Sequence, residues 1–426
     1  MDKKESRDGI ITLVSITLVN ALNYGLNLIL GRWLGPEIFA ETNILATLVL
    51  ILSFAGIAIQ LTVANQIARY AGNTHKQKEF YNWIERQILK ISMVASILAI
   101  VGSAPLSAFL QMQGSFELIT IAIGIPFYFL LCARRGYYQG AQEFKRFSLT
   151  FIVETFGRLT ITLLILSAAL YWNPEYAVLS IALGFLASFL FAFIYTLKHI
   201  SFVWQKIAYS FKSKEIVYFV MAISMYELSQ ILINNCDVIL VKHYFDDFQA
   251  GLYASIALIG RIVYFGTWTI VTLLFPKVIE KEKKGESHIL LFYNSLAIVS
   301  GCGAIITLVC LWQGDLILNI LFGGNFVEVH PLLWKYALST TLFATANVFA
   351  YYYMSLKNYL PVIISLMAGL IQILFISIMN GSLLEIVYVQ IAVMSGLLLS
   401  MISYHFFKAH MGQLSGIFRI SKVELS

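Results

Sequence analysis

Long apolar runs, separated by short polar segments, cover almost the whole chain. A bilayer hydrocarbon core of about 30 Å requires about 20 mostly apolar residues per helical span. Runs of that length recur twelve times. The pattern predicts twelve transmembrane helices, at residues 10–30, 44–67, 88–110, 116–133, 147–170, 176–197, 216–241, 252–275, 289–312, 332–356, 360–379 and 383–407.

The composition supports this interpretation. Of the 426 residues, 59% are hydrophobic and 12% are charged, whereas about a quarter of the residues in an ordinary soluble domain are charged. No segment between predicted spans exceeds about twenty residues, so the segments, including 199–215, 276–288 and 313–331, are too short for a soluble domain. A Gly-Lys dipeptide is absent, so the sequence has no P-loop. We therefore expect an all-α integral membrane protein without a separate catalytic domain.

The positions of the basic residues predict the orientation in the membrane. Most of the 29 Lys and Arg residues lie in the N-terminus, the loops after even-numbered spans and the C-terminus, whereas the other loops contain only Arg32 and Lys242. Because loops rich in Lys and Arg stay on the cytoplasmic side, both termini are predicted to be cytoplasmic. This distribution accounts for the net charge of +6, so no nucleic-acid partner is expected.

The sequence offers no pattern for a metal or a cofactor. The four cysteines lack CxxC spacing, and the seven histidines show neither an HExxH motif nor paired-ligand spacing. We expect the cysteines to act as small apolar packing residues and predict no metal site and no cofactor.

The two halves of the sequence resemble each other. A shift of 210 residues, as from Leu28 to Val238, aligns "LILGRWLGPEIFA" with "VILVKHYFDDFQA" and pairs Arg32 with Lys242. The alignment predicts a duplication into two six-helix lobes, residues 1–205 and 206–426. Since an even number of spans separates the repeats, both lobes would have the same orientation. Transporters built from such parallel repeats bind substrate at the repeat interface near the bilayer midplane.

A polar seam runs along the seventh predicted span, and the same shift places a second one on the first span. Residues at i, i+3, i+7 and i+10 share one face of a helix. The seam of the seventh span consists of Glu227, Gln230, Asn234 and Asp237. Its counterpart consists of Thr17, Asn20, Tyr24 and Asn27, with Asn23 beside them. A charge at the bilayer centre costs about 2.5 to 3.5 kcal/mol on insertion scales, so both seams should face protein or a wet cavity.

Two interpretations of the seams remain open. In the first, the amides bridge neighbouring helices and Asp237 or Glu227 pairs with Arg261. In the second, the two seams line a shared polar cavity. The apparent duplication favours the second interpretation, because bridging contacts need not recur on equivalent helices.

Few other ionisable residues fall inside the predicted spans. Arg158 on the fifth span and Arg261 on the eighth could hold a phosphate or pyrophosphate group, which the planar guanidinium fork suits. Alternatively, Glu154 and Arg158 form an i, i+4 ion pair. Glu227 and Asp237 are also candidates for sites that bind a coupling ion or proton.

Four segments carry a resemblance to a known family. They are "LGRWLGPEIFAETNI", "RRGYYQGAQEFKR", "NNCDVILVKHYFDDFQAGLYASIALIGRI" and "DLILNILFGGNFVEVHPLL". Together they resemble the polysaccharide-transporter (Wzx-type, O-antigen flippase) family of the multidrug/oligosaccharidyl-lipid/polysaccharide exporter superfamily. The second-half pattern of the family corresponds here to Asn234, Asp237, Gly251 and Tyr253. The sequence departs from the first-half pattern at Ala40, where Gly is usual, and at Asn43, where an aromatic is usual.

The resemblance implies a fold and a function. The fold would comprise two six-helix lobes around a central cavity. The function would be alternating-access flipping of undecaprenyl-pyrophosphate-linked oligosaccharide units from the cytoplasmic to the periplasmic leaflet of a bacterial inner membrane, for O-antigen, capsule or other surface polysaccharide. The expected partners are the lipid-linked oligosaccharide, membrane lipids, H⁺ or Na⁺ as coupling ion, and polysaccharide polymerase machinery.

Two other functions are considered. A cation-coupled multidrug exporter of the same superfamily would suit an acidic seam. A membrane-bound glycan polymerase or glycosyltransferase is disfavoured, because the largest predicted outer loop offers only Asp315, Glu328 and His330 as catalytic groups. We therefore predict a transporter and not an enzyme.

The sequence offers two sets of candidate site residues. The predicted substrate-cavity residues are Arg158, Arg261, Asn20, Tyr24, Asn27, Gln230 and Asn234. The residues predicted to take part in ion coupling or charge pairing are Glu154, Glu227 and Asp237.

Overall fold

A computed structural model describes residues 3–173, 176–200, 214–356 and 358–423, with side chains for 14–173, 176–200, 225–264, 278–279, 281–282, 284–356 and 358–408. These residues form twelve α-helices and no strand. The helices are α1 Lys3–Arg69, α2 Thr74–Val101, α3 Ser103–Phe109, α4 Phe116–Gly140, α5 Phe144–Trp172, α6 Ala177–Leu197, α7 Lys214–Tyr244, α8 Asp247–Lys283, α9 Ile289–Leu321, α10 His330–Ser355, α11 Leu360–Ile378 and α12 Leu383–Val423. A 3₁₀ turn, Gly324–Val329, precedes α10.

The twelve predicted spans all coincide with helices. The first two lie on the two arms of α1, the third lies on α2 and α3, and the other nine lie on α4 to α12. By length and composition, seven helices of the described chain could cross a membrane, and the bent α2–α3 pair makes eight. The prediction of an all-α, multi-pass membrane protein is confirmed.

The first loop expected from the sequence is absent, because α1 continues through it with a kink. Gly35 has φ 72° and ψ 174°, and Pro36 follows inside the helix. Glycine adopts a positive φ without a steric penalty, and proline suits the first turn of a helix because it needs no N–H partner there. Gly251 packs against this kink: a Cβ added there would lie 1.9 Å from the Pro36 carbonyl oxygen.

Other boundaries also differ from those predicted. The helix α4 extends to Gly140, so Arg134 and Arg135, which the sequence assigned to a basic loop, lie inside the helix and are buried. The helix α9 continues to Leu321 with a break at Gln313 (φ −128°, ψ 24°), so half of the predicted outer loop is helical. A hydropathy pattern places the end of a span where polar residues begin, whereas the helix itself continues as long as its backbone hydrogen bonds are made.

The chain divides into two compact units, Met1–Glu227 with Phe245–Gly251, and Leu228–Tyr244 with Leu252–Ser426. The predicted boundary at residue 205 and the internal duplication remain predictions. In the first unit α4 packs against α1, α2 and α6. A Cβ added at Gly136 would lie 2.5 Å from the Gln60 carbonyl oxygen, and one at Gly140 would lie 2.5 Å from that of Ala64. Small residues spaced in this way allow two helix backbones to approach closely.

A fully buried ion pair joins the helices of the first unit near the end of α4. The Nε and Nη2 atoms of Arg134 donate to Glu85 Oε1 over 3.0 and 2.9 Å, and Tyr81 donates to the same oxygen over 2.9 Å. The Nη1 atom of Arg134 donates to Thr196 Oγ1 and to the Ile200 carbonyl oxygen. Arg134 therefore links α2, α4 and α6.

In the second unit α10 is the central helix and packs against α9, α11 and α12. Most of its residues are buried, on all sides of the helix. A helix that is buried all round forms the core of its unit. The polar residues that α10 carries must therefore find partners within the protein.

Candidate functional site

Arg135 of α4 contacts two polar residues of α5, Thr150 and Glu154. The Nε atom of Arg135 donates to Thr150 Oγ1 over 2.9 Å, and Nη2 forms an ion pair with Glu154 Oε2 at 2.6 Å. The guanidinium also lies 3.7 Å from the centre of the Phe151 ring. Both charged groups are buried. Glu154 is thus neutralised by Arg135, and within the described residues no ion pair joins it to Arg158, so the expected i, i+4 pair is not formed.

Arg158 lies one turn further along α5. Its Nη2 atom donates to Asn23 Oδ1 of α1 over 2.6 Å, and its guanidinium lies 5.0 Å from the centre of the Phe185 ring. Its Nε atom is buried and has no hydrogen-bond partner in the described chain. The side chain is half-buried. Arg158 therefore carries a positive charge that forms no ion pair with a carboxylate of the described residues.

The polar stripe of α1 lies beside Asn23 on the same helix. Tyr24 and Asn27 are half-buried, and Asn20 is exposed. The Nδ2 atom of Asn27 donates to the Asn23 carbonyl oxygen over 2.9 Å, a bond inside the helix. Asn23, which the sequence shows only beside the stripe, is the member that contacts an arginine.

Asp237 is the centre of a buried polar cluster in the second unit. Its Oδ2 atom accepts hydrogen bonds from Tyr253 at 2.9 Å, from Tyr336 at 2.8 Å and from the Gln390 side-chain amide at 2.5 Å. Gln390 also donates to the Tyr253 hydroxyl over 2.8 Å. All four side chains are buried. The other carboxylate oxygen, Oδ1, is buried and has no partner in the described chain.

Arg261 lines a small cavity of about 20 Å³ in the second unit. Its Nη2 atom donates to the Asn234 carbonyl oxygen over 3.0 Å, and its Nε atom is buried without a partner among the described residues. No ion pair joins Arg261 to Glu227 or Asp237 in the part of the chain that the structure describes, so that expected alternative is not observed. The polar lining includes Asn234, Tyr336, Ser339, Thr340, Gln372 and Gln390.

The two remaining seam residues differ in their surroundings. The Nε2 atom of Gln230 donates to Asn347 Oδ1 over 3.2 Å, and Oε1 accepts from the Tyr264 hydroxyl over 3.1 Å. Gln230 is buried and bridges three helices, as the first interpretation of the seam expected. Glu227 is half-buried and makes no hydrogen bond or ion pair with a described side chain.

Several residues of these clusters were missed at the sequence level. Arg135 was assigned to a loop, and Tyr336 carries no signal, because tyrosine is common in membrane helices. Gln372 and Gln390, however, are lone amides inside the apolar runs of α11 and α12. The criterion that singled out Gln230, a polar side chain that must be satisfied within the bilayer, would have found both.

The fold is that of a known class of membrane transporters. The structure matches "Lipid II flippase MurJ, inward closed conformation" with a TM-score of 0.73 at 13% identity, covering 94% of this chain and 87% of that one. It matches an inward-facing multidrug resistance MATE family transporter of the MOP superfamily with a TM-score of 0.71 at 13% identity, covering 98% and 99%. A MATE protein in a straight conformation gives a TM-score of 0.62 at 14% identity, covering 99% and 96%. At such identities the matches establish the fold.

The family follows from the sequence. The model of the polysaccharide biosynthesis protein family matches residues 6–281, well over half of the chain. A search of curated protein sequences gives no match. The chain belongs to the polysaccharide biosynthesis protein family.

Proposed function

We propose that this protein is a flippase that moves undecaprenyl-pyrophosphate-linked oligosaccharide units from the cytoplasmic to the periplasmic leaflet of a bacterial inner membrane. Family membership supports a role in polysaccharide biosynthesis. Arg158 carries the proposal, because it is a half-buried guanidinium whose Nε has no protein partner in the described chain and which forms no ion pair with a described carboxylate. Such a group is suited to a phosphate or pyrophosphate.

The physical problem of flipping explains why such a group is needed. A pyrophosphate and the hydroxyls of a sugar chain lose their hydration in hydrocarbon, and each unpaired polar group costs several kcal/mol. Guanidinium and amide groups replace that hydration. We assign this role to Arg158 with Asn20, Tyr24 and Asn27 in the first unit. In the second unit we assign it to Arg261 with Asn234, while Gln230 bridges helices.

The first candidate for binding a coupling ion is Asp237 in the second unit. The Asp237 carboxylate has one buried oxygen without a partner in the described chain, and Gln372 Oε1, on the cavity lining, is also buried without one. Carboxylate and amide oxygens are ligands for small hard cations, and a carboxylate is also a site for a proton. We assign H⁺ or Na⁺ coupling to Asp237, with Glu227 as a second candidate, and alternating access as the transport mechanism.

The same proposal includes the orientation, with both termini cytoplasmic. It is supported by the concentration of Lys and Arg in the termini and in alternate loops. It also includes association with the polysaccharide polymerase machinery that would receive the flipped unit.

Complementation of a deletion strain tests the proposal. Without the protein, surface polysaccharide should be lost and a complete undecaprenyl-linked unit should accumulate on the cytoplasmic side. The wild-type chain should restore the polymer. Arg158→Gln should reduce it about tenfold or more at equal protein level, because hydrogen bonds to charged groups contribute about 1.5 to 3 kcal/mol. Arg158→Lys should retain part of the activity, since it keeps the charge and loses the fork.

Arg146→Gln is the matched control, because Arg146 lies on the same helix but is exposed and paired with Glu143. Normal polymer with Arg158→Gln would refute the anion site. Normal polymer in the deletion strain together with altered drug susceptibility would identify a multidrug exporter instead. Truncated lipid-linked units would identify an enzyme.

A further inference from the structure

Arg135 of α4 contacts the face of α5 on which Arg158 lies. Thr150, Glu154 and Arg158 are spaced four residues apart and therefore share one face of α5. Arg135 of α4 contacts the first two members of this row, Thr150 at 2.9 Å and Glu154 at 2.6 Å. Arg158 contacts neither and is turned to Asn23 of α1.

Arg135 and the row together contain two guanidinium groups and one carboxylate, so they carry a net charge of +1. Because the carboxylate forms its ion pair with Arg135, Arg158 is the guanidinium that is left without one. A Glu four residues before an Arg is the favourable order for an ion pair within a helix. Without Arg135, Glu154 would therefore have Arg158 as its nearest alternative partner.

Arg135 is itself held in place by three contacts. Its Nε is fixed by Thr150, its Nη2 by Glu154, and its planar face by the Phe151 ring at 3.7 Å. The side chain is buried. Lysine has a single ammonium group and could not make the two directed bonds and the stacking contact together.

We infer that Arg135 is a positioning residue for anion binding: it holds the Glu154 carboxylate away from Arg158 and so keeps the Arg158 guanidinium open to an anionic group of the substrate. This inference rests on the proposed function. It assigns Glu154 to charge pairing within the protein and not to ion coupling. It also explains why a carboxylate can lie one turn from an anion-binding arginine.

The test compares four variants of the full-length protein, purified in detergent, with inorganic pyrophosphate as the probe. Arg158→Gln should abolish pyrophosphate binding. Arg135→Gln should weaken it about tenfold or more, because Glu154 then occupies Arg158. Glu154→Gln should bind at least as tightly as wild type. The double variant Arg135→Gln/Glu154→Gln should recover binding to within about threefold of wild type, since no carboxylate remains to compete.

The rescue separates positioning from stability. If Arg135 only held the helices together, removing Glu154 as well would leave binding as weak as in Arg135→Gln, or weaker, and the inference would be overturned. If Arg135→Gln does not fold, the comparison of Glu154→Gln with the double variant decides: equal binding supports the inference and a tenfold loss overturns it. Unchanged binding in Arg158→Gln would instead overturn the anion site, and with it the proposed function.

Discussion

The buried pair Arg134–Glu85 allows a quantitative prediction about stability. Arg134 is completely buried, and Glu85 is nearly so. The substitution Glu85→Gln removes the only carboxylate among the described contacts of Arg134 and leaves two guanidinium donors facing a neutral amide. Breaking a buried pair by removing one partner typically costs about 3 to 5 kcal/mol, because an uncompensated charge remains buried. We expect a loss of that size in the free energy of unfolding.

The double substitution Arg134→Met/Glu85→Leu removes both charges. Replacing a buried pair by apolar residues of similar volume is often close to neutral. Here the Tyr81 hydroxyl also loses its acceptor, which costs about 1 to 3 kcal/mol. The double variant should therefore be less destabilised than Glu85→Gln alone.

Unfolding of the purified chain by SDS in mixed micelles measures both changes. Glu143→Gln is the control, because Glu143 and Arg146 are bonded at 2.6 Å but are exposed, with 36% and 46% of their side-chain surfaces accessible. An exposed pair of this kind contributes about 0 to 1 kcal/mol. A loss below about 1 kcal/mol for Glu85→Gln, or a double variant no more stable than the single one, would refute the reasoning.

Two further predictions concern packing and coupling. Gly136→Val should lower the free energy of unfolding by about 1 to 3 kcal/mol or more, because the added Cβ would lie 2.5 Å from the Gln60 carbonyl oxygen. Gly25→Val is the control, because a Cβ added at Gly25 would meet no atom of a neighbouring element within 4 Å. If Asp237 binds Na⁺, NaCl should raise the melting temperature of the wild-type protein more than KCl does, and Asp237→Asn should abolish the difference. Equal responses of the two proteins to NaCl would exclude Asp237 as a sodium site.

The sequence predicted the helices well because their signal is local. A run of about 20 apolar residues is stable across a bilayer as a helix whatever its neighbours are. The kink of α1, by contrast, was not predicted. The polar residues of the predicted loop 31–43 suggested an end of the helix, whereas Gly35 and Pro36 redirect the chain without interrupting it.

The candidate site was predicted only in part, because partners depend on packing between helices. The sequence singled out Arg158 and Glu154 as rare charges within the predicted spans and offered an ion pair between them as one alternative. The observed partners, Asn23 and Arg135, come from α1 and α4. No pattern along α5 indicates which neighbouring helix supplies the second guanidinium.

The corner between α7 and α8 has a consequence for any attempt to divide the chain. Residues Phe245–Gly251 belong to the first compact unit although they come from the second half of the sequence. The chain therefore passes from one unit to the other three times. Within the first unit, Gly251 packs against the Pro36 kink. A fragment that ends near residue 205 would lack residues 245–251, which include the Gly251 contact with the kink. A chimera joined near residue 205 would take these residues from one parent and the Pro36 kink from the other. Halves exchanged between relatives should be joined so that both members of this contact come from the same parent.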